Sequence, residues 1–294
     1  HKYTWASLWT LFIGALLAGC IGEEGTESLS HTHESLSISP QVTDAKTRAA
    51  SDVSLNEVYL DKLDVKLFGK DDSQLRLTKR LEQATNGVAT TLDQGNWKDK
   101  NHLVDGETYE VLTIANAKED LQSIHTLVDL SKKTQEDADI WKPYDKTDNS
   151  GKTFLMSSVT DYQVTTSATQ IIQTSLSRAA AKILLKLSIN VPGYTVGNPT
   201  WSFKNYNTAT TLFGEPSTPT RFGDNTAKTL GSMGDTYESM QVSKDGYIVT
   251  TYSYATEWKD HAEEMPVLII KVPLTKTDSE AEGEGAVGET IDNF

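Results

Sequence analysis

The sequence predicts a mostly β protein, arranged as β-sandwiches in two domains with one short helix in the first. Three observations carry that prediction. Short runs of alternating apolar and polar residues recur along the chain, the longest being Ala179–Val191. A single stretch, following Asn116, carries apolar residues at helical spacing. The connections between these runs are long and polar, as in proteins that pack sheet on sheet.

The first segment is not read as part of the fold. His1-Lys2 precedes the apolar run Trp5–Ala18, which has the basic start and apolar centre of a secretory signal. The run is too short to span a bilayer, which needs roughly 20 residues. It ends in Leu17-Ala18-Gly19-Cys20, which resembles a bacterial lipobox. That resemblance implies removal of residues 1–19 and diacylation of the Cys20 thiol. Residues 20–52 are rich in Ser, Thr, Glu and Gly and read as a flexible tether or propeptide. Within it, Glu23-Glu24 is either a surface-export signal or simply solvated, and Leu36, Ile38 and Val42 roughly alternate with polar residues.

Ordered structure is expected from about Asp52, with domains over 53–175 and 176–294, the second of them either complete or incomplete at its end. Val58–Phe68 reads as a half-buried strand through Leu63, Val65 and Leu67, and Leu75 and Leu77 mark another. Tyr109–Ala115 follows the Asp105-Gly106 turn as a further strand. Asn116-Ala117-Lys118-Glu119 has the form of a capping box, and Leu121, Ile124 and Val128 continue a helix to Lys132-Lys133. Phe154–Ser158 is a short strand. Over Ala179–Val191 every odd position is apolar and most even positions are polar. That alternation outweighs the helical preference of Ala, Leu and Lys, and it predicts a strand with its large side chains buried. Ser243-Lys244-Asp245-Gly246 reads as a hairpin turn into Tyr247–Tyr254. Pro266–Leu274 reads as an edge strand because proline stands near both ends. Asp278–Glu289 mixes Gly with acids and reads as a flexible loop or tail.

Composition excludes several functions. The 294 residues carry 27 Lys and Arg against 41 Asp and Glu, a net charge of −14. Nucleic-acid binding needs a basic face, so it is set aside. One cysteine allows neither a disulfide framework nor a cysteine-based zinc site. No nucleophile elbow, zinc-protease, P-loop or dinucleotide motif occurs, so no catalytic, cofactor or metal residues are assigned and no enzyme is expected. Asp145–Gly151 departs from a calcium loop in spacing and lacks its closing Glu, and His31 and His33 lie in the tether. His125 reads as a boundary residue and Glu263-Glu264 as a surface pair. Trp97, Trp141, Trp201 and Trp258 serve either as core or, if exposed, as a sugar platform. The second possibility is the basis of an alternative reading, a surface-exposed glycan-binding lipoprotein.

The order of motifs resembles the fimbrillins, the type V pilin family. The resemblance rests on Leu17–Cys20, Tyr109–Asn116, Phe154–Ser158 and Leu176–Ile183, and it extends from about residue 55 to 274. It implies two transthyretin-like Greek-key sandwiches and a structural role as a fimbrial subunit or accessory. It also implies a lipid-anchored, surface-exposed place at the outer membrane, a part in adhesion, and a host or bacterial receptor as partner. In such pilins a protease cuts after an arginine, and a strand from another subunit enters the groove so opened. Here Thr47-Arg48-Ala49-Ala50 is the matching place, with cleavage between Arg48 and Ala49, and Leu36, Ile38 and Val42 lie in the strand to be removed. The family normally has one more strand after the equivalent of Val267–Leu274. Asp278–Phe294 shows no such pattern: either the sequence stops short, or the protein cannot donate a strand in the usual way, which would suit an accessory, anchor or tip component.

Overall fold

A computed structural model describes residues 34–43, 57–142, 153–213, 230–232, 241–243, 246–255 and 265–291. In the first part of the chain the strands are β1 Ser35–Val42, β2 Leu63–Gly69, β3 Leu75–Leu81, β4 Thr90–Gln94, β5 Thr108–Ala115, β6 Thr134–Glu136, β7 Met156–Gln163 and β8 Thr169–Arg178. They are followed by β9 Ala180–Leu187, β10 Tyr194–Val196, β11 Thr200–Asn207, β12 Ala209–Thr211 and β13 Leu230–Ser232. The last are β14 Gln241–Ser243, β15 Gly246–Tyr254, β16 Val267–Lys271, β17 Leu274–Lys276 and β18 Thr290–Ile291. Two short helices accompany them, α1 Trp97–Lys100 and α2 Leu127–Ser131. The protein is mostly β, as expected, but the helix expected from Asn116 to Lys133 shrinks to the 5-residue α2, and the 4-residue α1 lies outside the expected span. Neither helix is long enough to cross a membrane.

The first seven-stranded sheet has the order β3-β2-β5-β7-β8-β1-β4. Only two residue pairs join β7 to β8, Met156 with Arg178 and Ser157 with Ser177. The sheet therefore divides there into β3-β2-β5-β7 and β8-β1-β4. Leu63, Val65 and Leu67 from one half and Leu36, Ile38, Ile172 and Leu176 from the other are fully buried in one core. All strands after Arg178 pair among themselves, in sheets β10-β17-β18, β13-β11-β16 and β14-β15-β9, except that β12 pairs with β6. Trp201, Phe203, Val249 and Tyr254, on these later strands, are buried in the same hydrophobic cluster.

Asn116 does not cap a helix. Its φ of 63° is left-handed, whereas an N-cap residue is extended. Its amide is used elsewhere: Nδ2 donates to the carbonyls of Tyr59 (2.9 Å) and Phe154 (2.8 Å), and Oδ1 accepts from the Asp61 amide (2.9 Å). The helix starts ten residues later, where the Thr126 hydroxyl accepts from the Asp129 amide. The apolar residues that suggested one long helix are split: Leu121 is buried in a loop, Leu130 is buried in α2, and Val128 faces solvent.

The Ala179–Val191 strand is present, but it ends at Leu187. Ile183, Leu185 and Leu187 are half-buried rather than enclosed, because β9 has β15 on one edge and, among the described residues, no partner on the other. The expected hairpin joins β14 to β15, with Ser243 opposite Gly246. Pro266–Leu274 is two strands rather than one, since Pro273 has no amide to continue the ladder, and among the described residues β16 lies at a sheet edge, as expected. The acidic segment after Asp278 is tied down. The amides of Thr277 and Asp278 donate to the Gly193 carbonyl, Gly288 donates to Lys276, and β18 pairs with β17. Gly193 has φ +76°, and a side chain there would collide with Ala281.

Candidate functional site

The segment expected to be a tether contains a strand. Ser35–Val42 is β1, the second strand in from one edge of the seven-stranded sheet. It runs parallel to β8, from Ser35 opposite Thr169 to Val42 opposite Leu176, and antiparallel to β4. This is the one parallel pairing among the described residues. Composition hid the strand because serine fills its alternate positions, yet Leu36 and Ile38 are fully buried. Fully burying side chains of this size contributes roughly 1.5–3 kcal/mol each.

The backbone of β1 alternates between its two neighbours. Ser35 and Thr43 donate to the Ala168 (3.1 Å) and Leu176 (2.9 Å) carbonyls, so odd-numbered amides face β8. The even side faces β4 and the turn before it. There Gly95 donates to the Glu34 carbonyl, Gly87 donates to the Pro40 carbonyl, and the Val42 amide donates to Asn86 Oδ1 (2.9 Å). Pro40 occupies an even position beyond Thr90, where β4 begins, so its missing amide costs no ladder bond to β8. Gly87 reaches Pro40 from a turn that needs its φ of +75°. Between Leu36 and Ser37 the register on β4 slips by one, with Leu92 as the extra residue.

Trp97 supports the entry of β1. It is fully buried, and its Nε1 donates to the Ala168 carbonyl (2.9 Å), which also accepts from Ser35. Trp141 and Trp201 are also buried, in edge-to-face contact at 6.2 Å. These three do not form a sugar platform. Trp258 lies outside the described residues. At the start of β8, Gln170 anchors the preceding turn through Nε2 to the carbonyls of Thr165 (2.8 Å) and Ser167 (2.9 Å). Its Oε1 accepts from Tyr162, whose hydroxyl burial pushes up to about 12.

Both ends of the segment that contains Arg48 are fastened to the same end of β8. Thr43 is bonded to Leu176 by its amide and by its hydroxyl (2.9 Å). Glu57, the next described residue, accepts at its carbonyl from Arg178 Nη1 (3.0 Å). The Glu57 carboxylate is buried and accepts from Lys182 Nζ (2.7 Å) and the Tyr252 hydroxyl (2.9 Å). Burial alone would raise this carboxyl, but those two bonds and the charges of Lys182 and Arg178 outweigh it and hold it below its ordinary value. Chain leaving β1 and chain entering the rest of the fold thus meet within two residues of β8.

Cys20, Arg48, Ala49, His31, His33, Asp145–Gly151, His261, Glu263 and Glu264 lie outside the described residues. His102 and His125 are exposed. No group of three or more His, Cys, Asp or Glu among the described residues could hold a metal ion. The sequence reading missed β8, because adjacent Ile171 and Ile172 break its alternation. The usable signal was the even series Ile172, Thr174 and Leu176, all of them buried.

Taken away, β1 would leave the edges of β8 and β4 open, with apolar pockets where Leu36 and Ile38 had been. That arrangement is suited to strand addition.

No protein-family model and no curated protein sequence matches this chain. Solved structures do. A candidate cell adhesion protein from Parabacteroides distasonis matches with a TM-score of 0.55 at 17% identity, over 82% of this chain and 75% of that one. The C-terminally truncated tip fimbrial protein Mfa3 from Porphyromonas gingivalis matches with a TM-score of 0.51 at 13% identity, over 83% and 78% of the two chains. A candidate cell adhesion protein from Bacteroides eggerthii matches with a TM-score of 0.50 at 15% identity, over 85% and 78%. The chain therefore has the β-sandwich, fimbrillin-like fold that these adhesion and fimbrial proteins share.

Proposed function

We propose that this chain is a subunit or accessory component of a type V fimbria, exported as a lipoprotein through Cys20 and primed by a cut between Arg48 and Ala49. The observation that carries the reading is β1. It precedes Arg48 by a few residues, fills a slot between β8 and β4, and is continuous with the rest of the fold only through the segment containing that arginine. Cutting the segment turns an internal strand into a separate one. Its hold on the groove then depends on its own contacts, and a strand of another subunit competes for the slot. Glu57 keeps the new N-terminal segment attached after the cut.

On this reading the protein has a structural, non-enzymatic role at the cell surface, its partners are other fimbrial subunits, and Cys20 anchors the precursor to the outer membrane. A part in adhesion, with a receptor, belongs to the same reading. We also read the chain as two sandwiches meeting near Arg178–Ala180. The grouping of strand pairs on either side supports that division, and β6–β12 is the pairing that bridges it.

Limited trypsin digestion tests the proposal. The expected product is a stable core beginning at Ala49, from which the β1 fragment dissociates and which then joins a fimbrial subunit carrying a free terminal strand. A core that keeps β1 bound, or stays monomeric with such a subunit present, contradicts it.

A further inference from the structure

The groove that holds β1 contains one polar mismatch. Of the buried side chains on β8, Gln170 is engaged by Tyr162, Thr165 and Ser167, and Ile172 and Leu176 are apolar. Thr174 differs. It is 3% exposed, and its hydroxyl has no hydrogen-bond partner among the described residues. Its neighbour across the ladder is Pro40. Proline offers neither a side-chain donor or acceptor nor an amide, so β1 cannot satisfy that hydroxyl. On the other face of β1, Ser37 and Ser39 stand beside exposed residues, Thr91 and Ile171 for Ser37 and Gln173 for Ser39, so that face does not select the size of a side chain.

We propose that β1 is an imperfect occupant of its groove. The strand that replaces it is one from another subunit that carries Ser, Thr or Asn at the place of Pro40. It runs parallel to β8, with large apolar residues at the places of Leu36 and Ile38. This rests on the reading of the groove as a strand acceptor and names the chemistry of the strand it accepts. The physical reason is an asymmetry. A buried hydroxyl without a partner is costly, and a cross-strand pair of hydroxyls removes that cost. The amide that a non-proline residue restores at position 40 lies on the even-numbered edge, toward the turn at 85–88, as the Val42 amide does. Exchange is then downhill once the covalent link at Arg48 is cut, while the intact precursor stays closed.

The test uses the trypsin-cut chain freed of its N-terminal fragment, and fluorescent peptides of residues 34–43. One peptide has the native sequence, one carries Pro40→Thr and one carries Pro40→Val. Threonine and valine share a shape and differ in the hydroxyl, so their ratio isolates the bond to Thr174. The expected result is that the Thr peptide binds about five- to tenfold more tightly than the Val peptide. In a Thr174→Val chain that preference should vanish or reverse. Native binding with Val equal to or better than Thr overturns this proposal and leaves the acceptor reading standing. Binding by none of the three peptides overturns both. The same comparison in the uncut chain needs no exchange: Pro40→Thr is expected to melt above Pro40→Val, and the opposite order overturns the mismatch itself.

Discussion

Asn116 is the most informative single residue to change outside the groove. Asn116→Ala removes both donors, leaving the Tyr59 and Phe154 carbonyls without that partner, and removes the acceptor of the Asp61 amide. Each lost bond costs about 1 kcal/mol, and more where a buried group is left unsatisfied. The residue is buried and sits at φ 63°, a conformation that costs alanine roughly 1–2 kcal/mol. Together these give a loss of about 4 kcal/mol, a large share of the 5–15 kcal/mol typical of a folded domain. Asn116→Gly keeps the backbone relaxed and loses only the amide, so it should fall short of the alanine effect by about 1 kcal/mol. Urea unfolding followed by tryptophan fluorescence reads both. If Asn116→Ala lies within about 1 kcal/mol of wild type, the three-way tie between the strand β5, the 59–61 segment and Phe154 is not what holds this corner.

Three further changes probe other parts of the account. Ile38→Ala in the intact chain should cost about 2–4 kcal/mol, since it empties a fully buried site, whereas Gln41→Ala on the exposed side should stay within about 0.5 kcal/mol; equal effects in chemical denaturation would mean that β1 is not docked as described. Glu57→Gln should cost about 2–4 kcal/mol at pH 7 by removing the buried charge that Lys182 bonds at 2.7 Å and that lies 3.9 Å from Arg178. Because the folded Glu57 carboxyl lies below its ordinary value of 4.5, its contribution is complete above that pH and is lost as the pH falls through the folded value. The gap between wild type and Glu57→Gln should therefore close as the pH falls below 4.5, and a constant gap would contradict the ionised assignment. Lys66 is buried, its Nζ donates to the Thr78 hydroxyl at 2.9 Å, and burial lowers its pKa, so Lys66→Met should raise the melting temperature; a fall would show that its charge supports Asp64 more than Arg80 alone can.

The strands were legible wherever alternation was made of large residues. Leu63, Val65 and Leu67 marked β2, and Ile183, Leu185 and Leu187 marked β9 despite a helix-favouring composition. The helix was misplaced for a definable reason. Asn116 with Glu119 satisfies a capping pattern, but the pattern does not reveal whether the amide is already committed to carbonyls 38 and 57 residues away in sequence. Those bonds are tertiary, and local spacing carries no trace of them.

The candidate site was half legible. Leu36, Ile38 and Val42 stood out as an alternating set, and the fimbrillin resemblance supplied a role for them, although composition assigned the same residues to a tether. What the alternation lacked was a partner. Parallel pairing with β8 joins residues about 134 positions apart, and Ile171 beside Ile172 obscured the period of that strand. Trp97 was noticed as an aromatic and turned out to be a buried support for the strand, because its ring is enclosed and its one donor is used on Ala168. The mismatch between Pro40 and Thr174 is a property of register, so it becomes visible only when two strands are laid side by side.

The central claim is that β1 is a removable strand whose departure opens β8 without dismantling the fold. Hydrogen exchange on the chain before and after trypsin cleavage at Arg48 measures this directly. The account predicts that the amides of β8 and β4 that face β1 lose protection on cleavage and fragment release, while those of β2, β3 and β5 keep theirs. Protection that survives in β8 after the fragment has gone, or that collapses throughout β2, β3 and β5, would contradict it.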